Sequence, residues 1–192
     1  MAEIVAETER LRLRTWDGED EFRFYDVMNT PAVMRWLGGL QPREEWSAGY
    51  QRLRAYERDF GFTFWIVERS SDDAILGFCG LKRVNAPGAE FPGDIEIGWR
   101  LREDAWGKGY AKEAAIASLD LAFDRFGAPR VVAVTSAQNG PSQGLMIRLG
   151  MERREDLDFV DERFAADSEV NPQIVFRIDA IDWPSARAAA LA

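Results

Sequence analysis

The sequence predicts an α/β fold, and three neighbouring segments predict it. Residues 94–101 alternate between apolar and polar side chains as a strand does, residues 111–126 have the spacing of a helix, and residues 131–135 form a β-branched run typical of a buried strand. A strand, a long helix and a second strand in this order indicate a right-handed crossover between parallel strands. The length of 192 residues and the 46% apolar content suit a single domain with one core.

The chain before the crossover is expected to begin with a strand and three helices. Residues 10–16 alternate as an opening strand, and Asp17 follows as an N-cap for the first helix. Thr30 then caps a short helix, and Pro42 begins a longer one that runs to about Phe60.

A hairpin and a long loop follow these helices. Residues 63–69 and 74–83 are strand-like runs on either side of a polar turn. Residues 84–93 contain two prolines and two glycines and are longer than a hairpin needs, which favours a binding loop. The helical region 17–60 is a second candidate for the substrate side, as a flap, although packed amphipathic helices are the commoner explanation.

The chain after the crossover is predicted to contain a helix, two strands and a helical tail. Gly140 is expected to cap the helix and Gly150 to follow its last turn. Residues 152–159 and 172–178 are the candidates for the last strands. The alanine-rich residues 179–192 are expected to end the chain as a helix.

The strand at residues 94–101 is expected to have one packing face and one face that is open for chemistry. The packing face consists of Ile95, Ile97, Trp99 and Leu101. The opposite face consists of Asp94, Glu96, Gly98 and Arg100. We therefore expect any catalytic side chain of this strand on the second face.

A glycine-bearing turn at residues 106–111 joins this strand to the helix. Gly107 and Gly109 leave the backbone N–H groups at the helix start uncovered, where the first-turn donors and the helix dipole favour an anion. The turn is neither a GxxxxGK[ST] loop nor a complete dinucleotide fingerprint. It therefore predicts a pyrophosphate site of another kind, with Glu113, Asp120 and Asp124 on the solvated side of the helix.

Charge and composition exclude several classes of function. The chain holds 24 Lys and Arg against 33 Asp and Glu, and the net charge of −9 disfavours nucleic acid and anionic lipid while attracting cations. Histidine is absent, which excludes Ser-His-Asp and Cys-His machinery and His-containing metal sites, and we expect no metal. The single cysteine, Cys79, is expected in the core. The first residues lack the pattern of a secretory segment, so a cytoplasmic location is expected.

A further pattern follows the second strand of the crossover. Asn139 and Ser142, spaced as Asn-x-x-Ser, begin a helix that ends in Leu-Gly-Met at residues 149–151. Together with the acidic strand and the glycine turn, this order resembles the GNAT superfamily of acyl-CoA-dependent N-acyltransferases. The resemblance is greatest to the branch of ribosomal-protein N-terminal acetyltransferases, whose members open with Thr-Glu-Arg-Leu-x-Leu-Arg, here residues 8–14.

The resemblance implies the arrangement of the whole chain. It implies one N-acetyltransferase domain over residues 1–192, with a core of about 8–178 and a C-terminal tail. Its sheet would be mixed, with six or seven strands, flanked by helices and splayed between strands four and five. The chain would act as a monomer or a homodimer.

The resemblance also implies acetyl-CoA as the co-substrate, lying between strands four and five. The backbone of Trp99, Arg100 and Leu101 would pair with the pantetheine arm, while Asn139 and Ser142 would contact the cofactor near its thiol. The pyrophosphate would be held by the backbone amides of Trp106, Gly107, Lys108, Gly109, Tyr110 and Ala111.

The implied reaction is direct attack of a primary amine on the thioester in a ternary complex. An ammonium must first lose a proton, and Glu96 is the candidate base, with Asp94 as its substitute. Many members of the superfamily place a tyrosine acid seven residues after the Asn, but Met146 stands there. Ser142, a water or no group at all would then protonate the thiolate. A solvated strand carboxylate and an ordinary first-turn serine are the alternative interpretations of Glu96 and Ser142.

The sequence leaves the acceptor open between a small-molecule amine and a protein N-terminus. Acidic residues in the flap and the loop would recognise an ammonium group in either case. The alternative function is that of a non-catalytic acyl-CoA-binding regulatory domain. Such a domain would keep the glycine turn but would not need Glu96.

Overall fold

A computed structural model describes residues 2–192. The strands are β1 (Ile4–Glu7), β2 (Leu11–Arg14), β3 (Phe64–Arg69), β4 (Ala74–Arg83), β5 (Ile95–Leu101), β6 (Arg130–Ser136), β7 (Glu152–Arg153) and β8 (Gln173–Asp179). The helices are α1 (Asp20–Met28), α2 (Pro31–Met34), α3 (Arg43–Phe60), α4 (Tyr110–Asp120), α5 (Gly140–Arg148) and α6 (Trp183–Leu191). Among residues 2–192, no helix is long and apolar enough to cross a membrane.

The eight strands form one mixed sheet in the order β1-β2-β3-β4-β5-β6-β8-β7. β5 and β6 are parallel, as the predicted crossover requires, whereas β2 pairs with β3 and β6 with β8 in antiparallel fashion. The predicted α/β class is therefore confirmed. The sheet exceeds the predicted six or seven strands because β1 adds an edge strand beside β2, in a segment for which no strand was predicted.

The parallel pairing of β5 with β6 is short. Each strand has seven residues, but the paired positions are Ile95 with Val131 and Glu96 with Val132. Pairing at the beginning of the two strands alone agrees with the predicted splay, since β5 and β6 are strands four and five of the prediction.

The chain divides into two compact units, and β5 contributes to both. The first unit comprises the described part of Met1–Arg35 together with Gly39–Lys82 and Gly98–Ala117. An aromatic core packs α1, α2 and α3 against β3 and β4. Its members are Trp16, Phe24, Met28, Val33, Met34, Trp46, Tyr50, Ile66, Ile75 and Phe78.

The second unit comprises Trp36–Gly38, Arg83–Ile97 and Ser118–Ala192. Val84, Val132, Phe159 and Val175 form a buried cluster in it. The loop predicted at residues 84–93 is observed, and three of its side chains, Ala86, Ala89 and Phe91, pack against this cluster.

Several local predictions are confirmed because they rest on short-range chemistry. The Thr30 hydroxyl accepts the N–H of Val33 and caps α2, and α3 runs from Arg43 to Phe60 after Pro42. The predicted hairpin is β3 and β4, the C-terminal tail contains α6, and Cys79 is fully buried.

Three local predictions are wrong. Asp17 does not cap α1, whose N-cap is Glu19. Gly140 is the first residue of α5 and not its cap, because Asn139 occupies the cap position and its side chain accepts the N–H of Ser142. The predicted strand at 152–159 is limited to β7, because a helical turn over residues 155–157 interrupts it.

Candidate functional site

The glycine turn before α4 is exposed and has the backbone conformation of an anion cradle. Residues 106–109 are all exposed, and α4 begins directly after them at Tyr110. Gly107 and Gly109 have φ values of +71° and +82°, in the left-handed region that favours glycine. A Cβ at Gly107 would meet no described atom within 4 Å, so the space beside the turn is open. This geometry fits a phosphate group at a helix N-terminus.

Trp106 fastens the start of the turn to the end of β5. Its indole Nε1–H donates to the carbonyl oxygen of Leu101 at 2.7 Å, while 50% of the residue is exposed. The predicted cofactor residue Trp106 therefore also has a structural role, since its side chain links the turn to the end of β5.

Arg10 is a residue of the turn that sequence reasoning missed. Its Nη1 donates to the carbonyl oxygen of Lys108 at 3.0 Å, and its guanidinium carbon lies 4.6 Å from the centre of the Tyr110 ring. Its Nη2 is also the atom that a Cβ at Gly109 would meet, at 3.3 Å. A positive charge therefore stands beside the predicted pyrophosphate site. The run at residues 10–14 predicts a strand and contributes to the family resemblance, but nothing in it identifies Arg10 as a neighbour of the turn.

Glu113 holds Arg10 in this position. Its Oε2 accepts from Nε of Arg10 at 2.7 Å, and its Oε1 accepts from the Thr8 hydroxyl at 2.6 Å and from the Arg10 backbone N–H at 2.9 Å. Burial acts to raise the pKa of Glu113, but these hydrogen bonds outweigh it and lower the pKa below its ordinary value. The prediction of a solvated Glu113 is therefore wrong. The same is true of Asp120, which accepts from Nε1 of Trp183 and from Nε of Arg187.

The backbone of β5 presents alternate residues to its two edges. Arg102 donates its N–H to Leu76 at 2.8 Å, and the carbonyl oxygen of Arg100 lies against Gly77, so both residues face β4. Because backbone groups alternate along a strand, Trp99 and Leu101 direct theirs to the opposite edge. Of the three residues predicted to pair with the pantetheine arm, these two have the suitable orientation.

The polar face of β5 is not open along its whole length, which corrects the sequence prediction. A Cβ at Gly98 would come within 2.9 Å of the Phe64 ring, so this glycine is needed for close packing. The Phe64 ring in turn stacks on Phe78 at 4.8 Å. The Arg100 guanidinium lies 4.9 Å from the centre of the Phe78 ring. In the first unit, aromatic residues therefore cover this face.

In the second unit, the two candidate bases have different surroundings. Asp94 is bound by Arg130, whose Nε and Nη2 donate to its two carboxylate oxygens at 2.9 and 3.1 Å. Glu96 is half-buried, and Arg163 lies close enough for electrostatic attraction to it. The guanidinium of Arg163 is anchored by the buried Asp161. Both carboxylate oxygens of Asp94 are therefore engaged by Arg130.

Asn139 and Ser142 lie at the start of α5. The Asn139 side chain accepts the Ser142 N–H at 3.4 Å and donates to the Thr135 hydroxyl at 3.0 Å, which ties the helix start to β6. Both residues thus take part in an ordinary N-cap, whatever else they contact. Met146, at the position where the resemblance implies a tyrosine, is 1% exposed and belongs to the core.

Comparisons with known proteins agree with this fold. The model of the acetyltransferase (GNAT) domain matches residues 10–152. The uncharacterized protein YkkB of Bacillus subtilis (strain 168) is 30% identical over 148 residues, which are 75% of this chain and 83% of that protein.

Solved structures are similar over nearly the whole chain. The crystal structure of an acetyltransferase from Agrobacterium tumefaciens str. C58 has a TM-score of 0.71 at 26% identity, over 90% of this chain and 92% of that one. RimL, a ribosomal L7/L12 alpha-N-protein acetyltransferase, has a TM-score of 0.73 at 14% identity, over 93% of this chain and 95% of its own. At 14% identity the likeness shows the fold alone.

Proposed function

Since the model of the acetyltransferase domain matches residues 10–152, the chain belongs to the GNAT acetyltransferase family, and we propose that it transfers an acetyl group from acetyl-CoA to a primary amine by direct attack in a ternary complex. The observation that carries this proposal is the exposed glycine turn at residues 106–109, open beside Gly107 and bordered by Arg10. Acetyl-CoA supplies the acetyl group as a thioester.

The turn is proposed to hold the pyrophosphate of the cofactor. Backbone N–H groups of residues 106–111 would bind its oxygens, and the dipole of α4 favours their negative charge. The cation of Arg10 supports the same binding, although part of its charge is offset by Glu113. The backbone of Trp99 and Leu101 is the proposed partner of the pantetheine arm, and Asn139 and Ser142 are the proposed contacts near its thiol.

Glu96 is the proposed general base. A lysine-like ammonium titrates near 10.4 and an α-amino group near 8, so either acceptor needs help to lose a proton at neutral pH. A positioned base typically contributes about 10²- to 10⁴-fold, whereas holding the two reactants together contributes about 7–11 kcal/mol. We therefore expect loss of Glu96 to slow the reaction and loss of the glycine turn to prevent it.

Ser142 is the proposed proton donor to the thiolate. It stands at the third position of α5, and Met146 provides no acidic hydrogen. A water molecule is the alternative donor, and Ser142→Ala with Ser142→Thr as its matched control distinguishes the two.

The acceptor is proposed to be a small-molecule amine or a protein N-terminus, in a cytoplasmic single-domain protein that acts as a monomer or homodimer without metal or nucleic acid. The likeness to the ribosomal-protein branch motivates the N-terminal acceptor. The same likeness does not exclude a small-molecule amine, because the likeness rests on a fold that many GNAT enzymes share.

Substitution of Glu96 by glutamine tests the mechanism. We expect kcat to fall by about 10²-fold or more while the affinity for acetyl-CoA stays unchanged. The increase of kcat/KM with pH, which reports deprotonation of the base, should disappear. Asp94→Asn is the matched comparison, and a loss of the pH dependence in that variant alone would assign the base to Asp94. CoA release from acetyl-CoA with a panel of amines and N-terminal peptides is the measurement. A pH profile that is the same in both variants and the wild type would remove both carboxylates from the mechanism.

The same assay addresses a non-catalytic acyl-CoA-binding domain. Such a domain would bind acetyl-CoA without releasing CoA on any amine. Because this chain belongs to the acetyltransferase family, the enzymatic function is favoured over such a domain.

A further inference from the structure

Arg100, on β5 in the first unit, has a guanidinium whose hydrogen-bonding groups are poorly satisfied. Its Nη1 approaches the sulfur of Met34 at 3.4 Å, a weak acceptor, and its Nε is buried with no hydrogen-bond partner among residues 2–192. The guanidinium carbon lies 4.9 Å from the centre of the Phe78 ring and 5.9 Å from that of Trp46. The residue as a whole is half-buried.

Many other arginines of this acidic chain form salt bridges with carboxylates. Salt bridges in the described residues join Arg10 to Glu113, Arg14 to Asp20, Arg130 to Asp94, Arg153 to Asp158, Arg163 to Asp161 and Arg187 to Asp120. Arg100 forms no such salt bridge, with a limit of 4.0 Å, to a carboxylate of residues 2–192. In a chain with nine more acidic than basic groups, a half-buried cation without a carboxylate stands out.

Such a cation is costly to the folded protein. A charge taken out of water needs a partner of opposite sign or full hydrogen bonding, and aromatic rings compensate it only in part. Burial lowers the pKa of Arg100 to about 10, so the group still carries its charge at neutral pH. An oxyanion would satisfy both the charge and the free N–H groups, because a guanidinium binds a carboxylate through two parallel hydrogen bonds.

The surroundings restrict which oxyanion can reach this guanidinium. Its neighbours are the side chains of Met34, Trp46 and Phe78, which are apolar and suit a short hydrocarbon chain. Met34 ends α2, whose capping residue Thr30 also donates a hydrogen bond to Glu103 at 2.6 Å just after β5. This hydrogen bond therefore links α2, which carries Met34, to the segment just after the strand that carries Arg100. All of these residues lie in the helical region predicted as the substrate flap or in the strands beside it.

We propose that Arg100 determines acceptor specificity by binding the carboxylate of a small amine, so that the substrate class is an amino acid or a similar amine that bears a carboxylate. This inference rests on the proposed acetyltransferase function and names the acceptor of that same reaction. It differs from the expectation that acidic residues alone would recognise the acceptor through its ammonium group.

The test compares each amine with its neutral carboxamide. The panel consists of α- and ω-amino acids of two to six carbons, each beside its carboxamide, and one N-terminal peptide that has an amidated C-terminus and no acidic residue. CoA release is measured with the wild type, Arg100→Met and Arg100→Lys. Arg52→Met is the matched control, because it removes a positive charge from an exposed position of α3. The ratio of kcat/KM for acid to amide is then compared between variants, which cancels differences in intrinsic amine reactivity.

We expect the wild type to prefer at least one carboxylate-bearing amine over its carboxamide by about 10- to 100-fold, since a charged hydrogen bond contributes on that scale. The preference should vanish in Arg100→Met, survive in part in Arg100→Lys and remain unchanged in Arg52→Met. An equal preference in the wild type and Arg100→Met would overturn the proposal. The proposal would also be overturned if the wild type and Arg100→Met had the same kcat/KM for the peptide, and if this value exceeded that for every amino acid.

Failure of the proposed function would be seen separately. If no amine releases CoA, calorimetric titration of the same proteins with 4-aminobutyrate and 4-acetamidobutyrate still measures Arg100. Binding that is lost in Arg100→Met supports the carboxylate site, whereas absent or unchanged binding overturns it. Thermal unfolding checks that the variants fold. A carboxylate site predicts that Arg100→Met is as stable as the wild type or more so, because an unsatisfied charge is removed. A marked loss of stability would instead assign Arg100 a structural role.

Discussion

Replacing Gly109 by alanine is expected to weaken acetyl-CoA binding without unfolding the protein. Gly109 has a φ of +82°, where a residue with a Cβ costs about 1–2 kcal/mol more than glycine. Its new methyl group would also come within 3.3 Å of Nη2 of Arg10. The free turn can relax to avoid the strain, but binding must restore the original backbone. The affinity should therefore fall by about 5- to 30-fold, the equivalent of 1–2 kcal/mol.

Calorimetric titration with acetyl-CoA, together with thermal unfolding, measures both effects. Gly61→Ala is the matched control, because Gly61 has a φ of +77° at the end of α3 and its Cβ would meet no atom within 4 Å. The control should have a Tm lower by about 2–8 °C and keep its acetyl-CoA affinity, whereas the Tm of Gly109→Ala should fall by less because its turn relaxes. An unchanged affinity in Gly109→Ala would refute the assignment of the turn to the pyrophosphate.

Two further substitutions test the contacts that hold the first unit together. Asp20→Asn should lower the free energy of unfolding by about 1–3 kcal/mol, because fully buried Asp20 binds Arg14 through both oxygens, and the variant would leave Arg14 with the weaker compensation of its remaining salt bridge to Glu68. Urea denaturation measures this, and a loss as small as that of the exposed Asp26→Asn would contradict it. In Glu113→Gln, the free energy of unfolding should fall less steeply as the pH is lowered than in the wild type. Because the pKa of Glu113 is lowered in the folded protein, its stabilising contribution is present above the ordinary value of 4.5 and is lost as pH falls through the lowered pKa. Urea midpoints between pH 3 and 7 measure this limb, and parallel curves for the wild type and the variant would show that Glu113 is not the cause.

Much of the fold was predictable because its signals are local. The alternation in β5, the β-branched run of β6 and the caps at Thr30 and Gly150 depend on residues close in sequence, and each of these elements is observed. The predicted cap at Asp17 failed because α1 begins only at Asp20, whose carboxylate accepts from the Asp17 N–H and from the distant guanidinium of Arg14.

The candidate site was predictable in part for the same reason. The glycine turn is visible in the sequence because left-handed backbone conformations need glycine, and Asn139 is visible because it caps a helix. The roles of Arg10 and Arg100 were not visible. Arginines are common on strands, and nothing in an alternating pattern tells whether a guanidinium will meet a carboxylate or an aromatic ring.

The sequence by itself determined the α/β class, the glycine turn and the absence of histidine chemistry. The tertiary structure alone decided which charges are paired. Arg10 and Glu113 are 103 residues apart in the chain, and their contact across the turn converts a predicted surface carboxylate into the support of the proposed cofactor site. The folded chain likewise leaves Arg100 beside Met34, with no salt bridge to a carboxylate of the described residues 2–192. The physical reason is that periodicity specifies the face on which a side chain lies, whereas its partner is set by packing between distant segments.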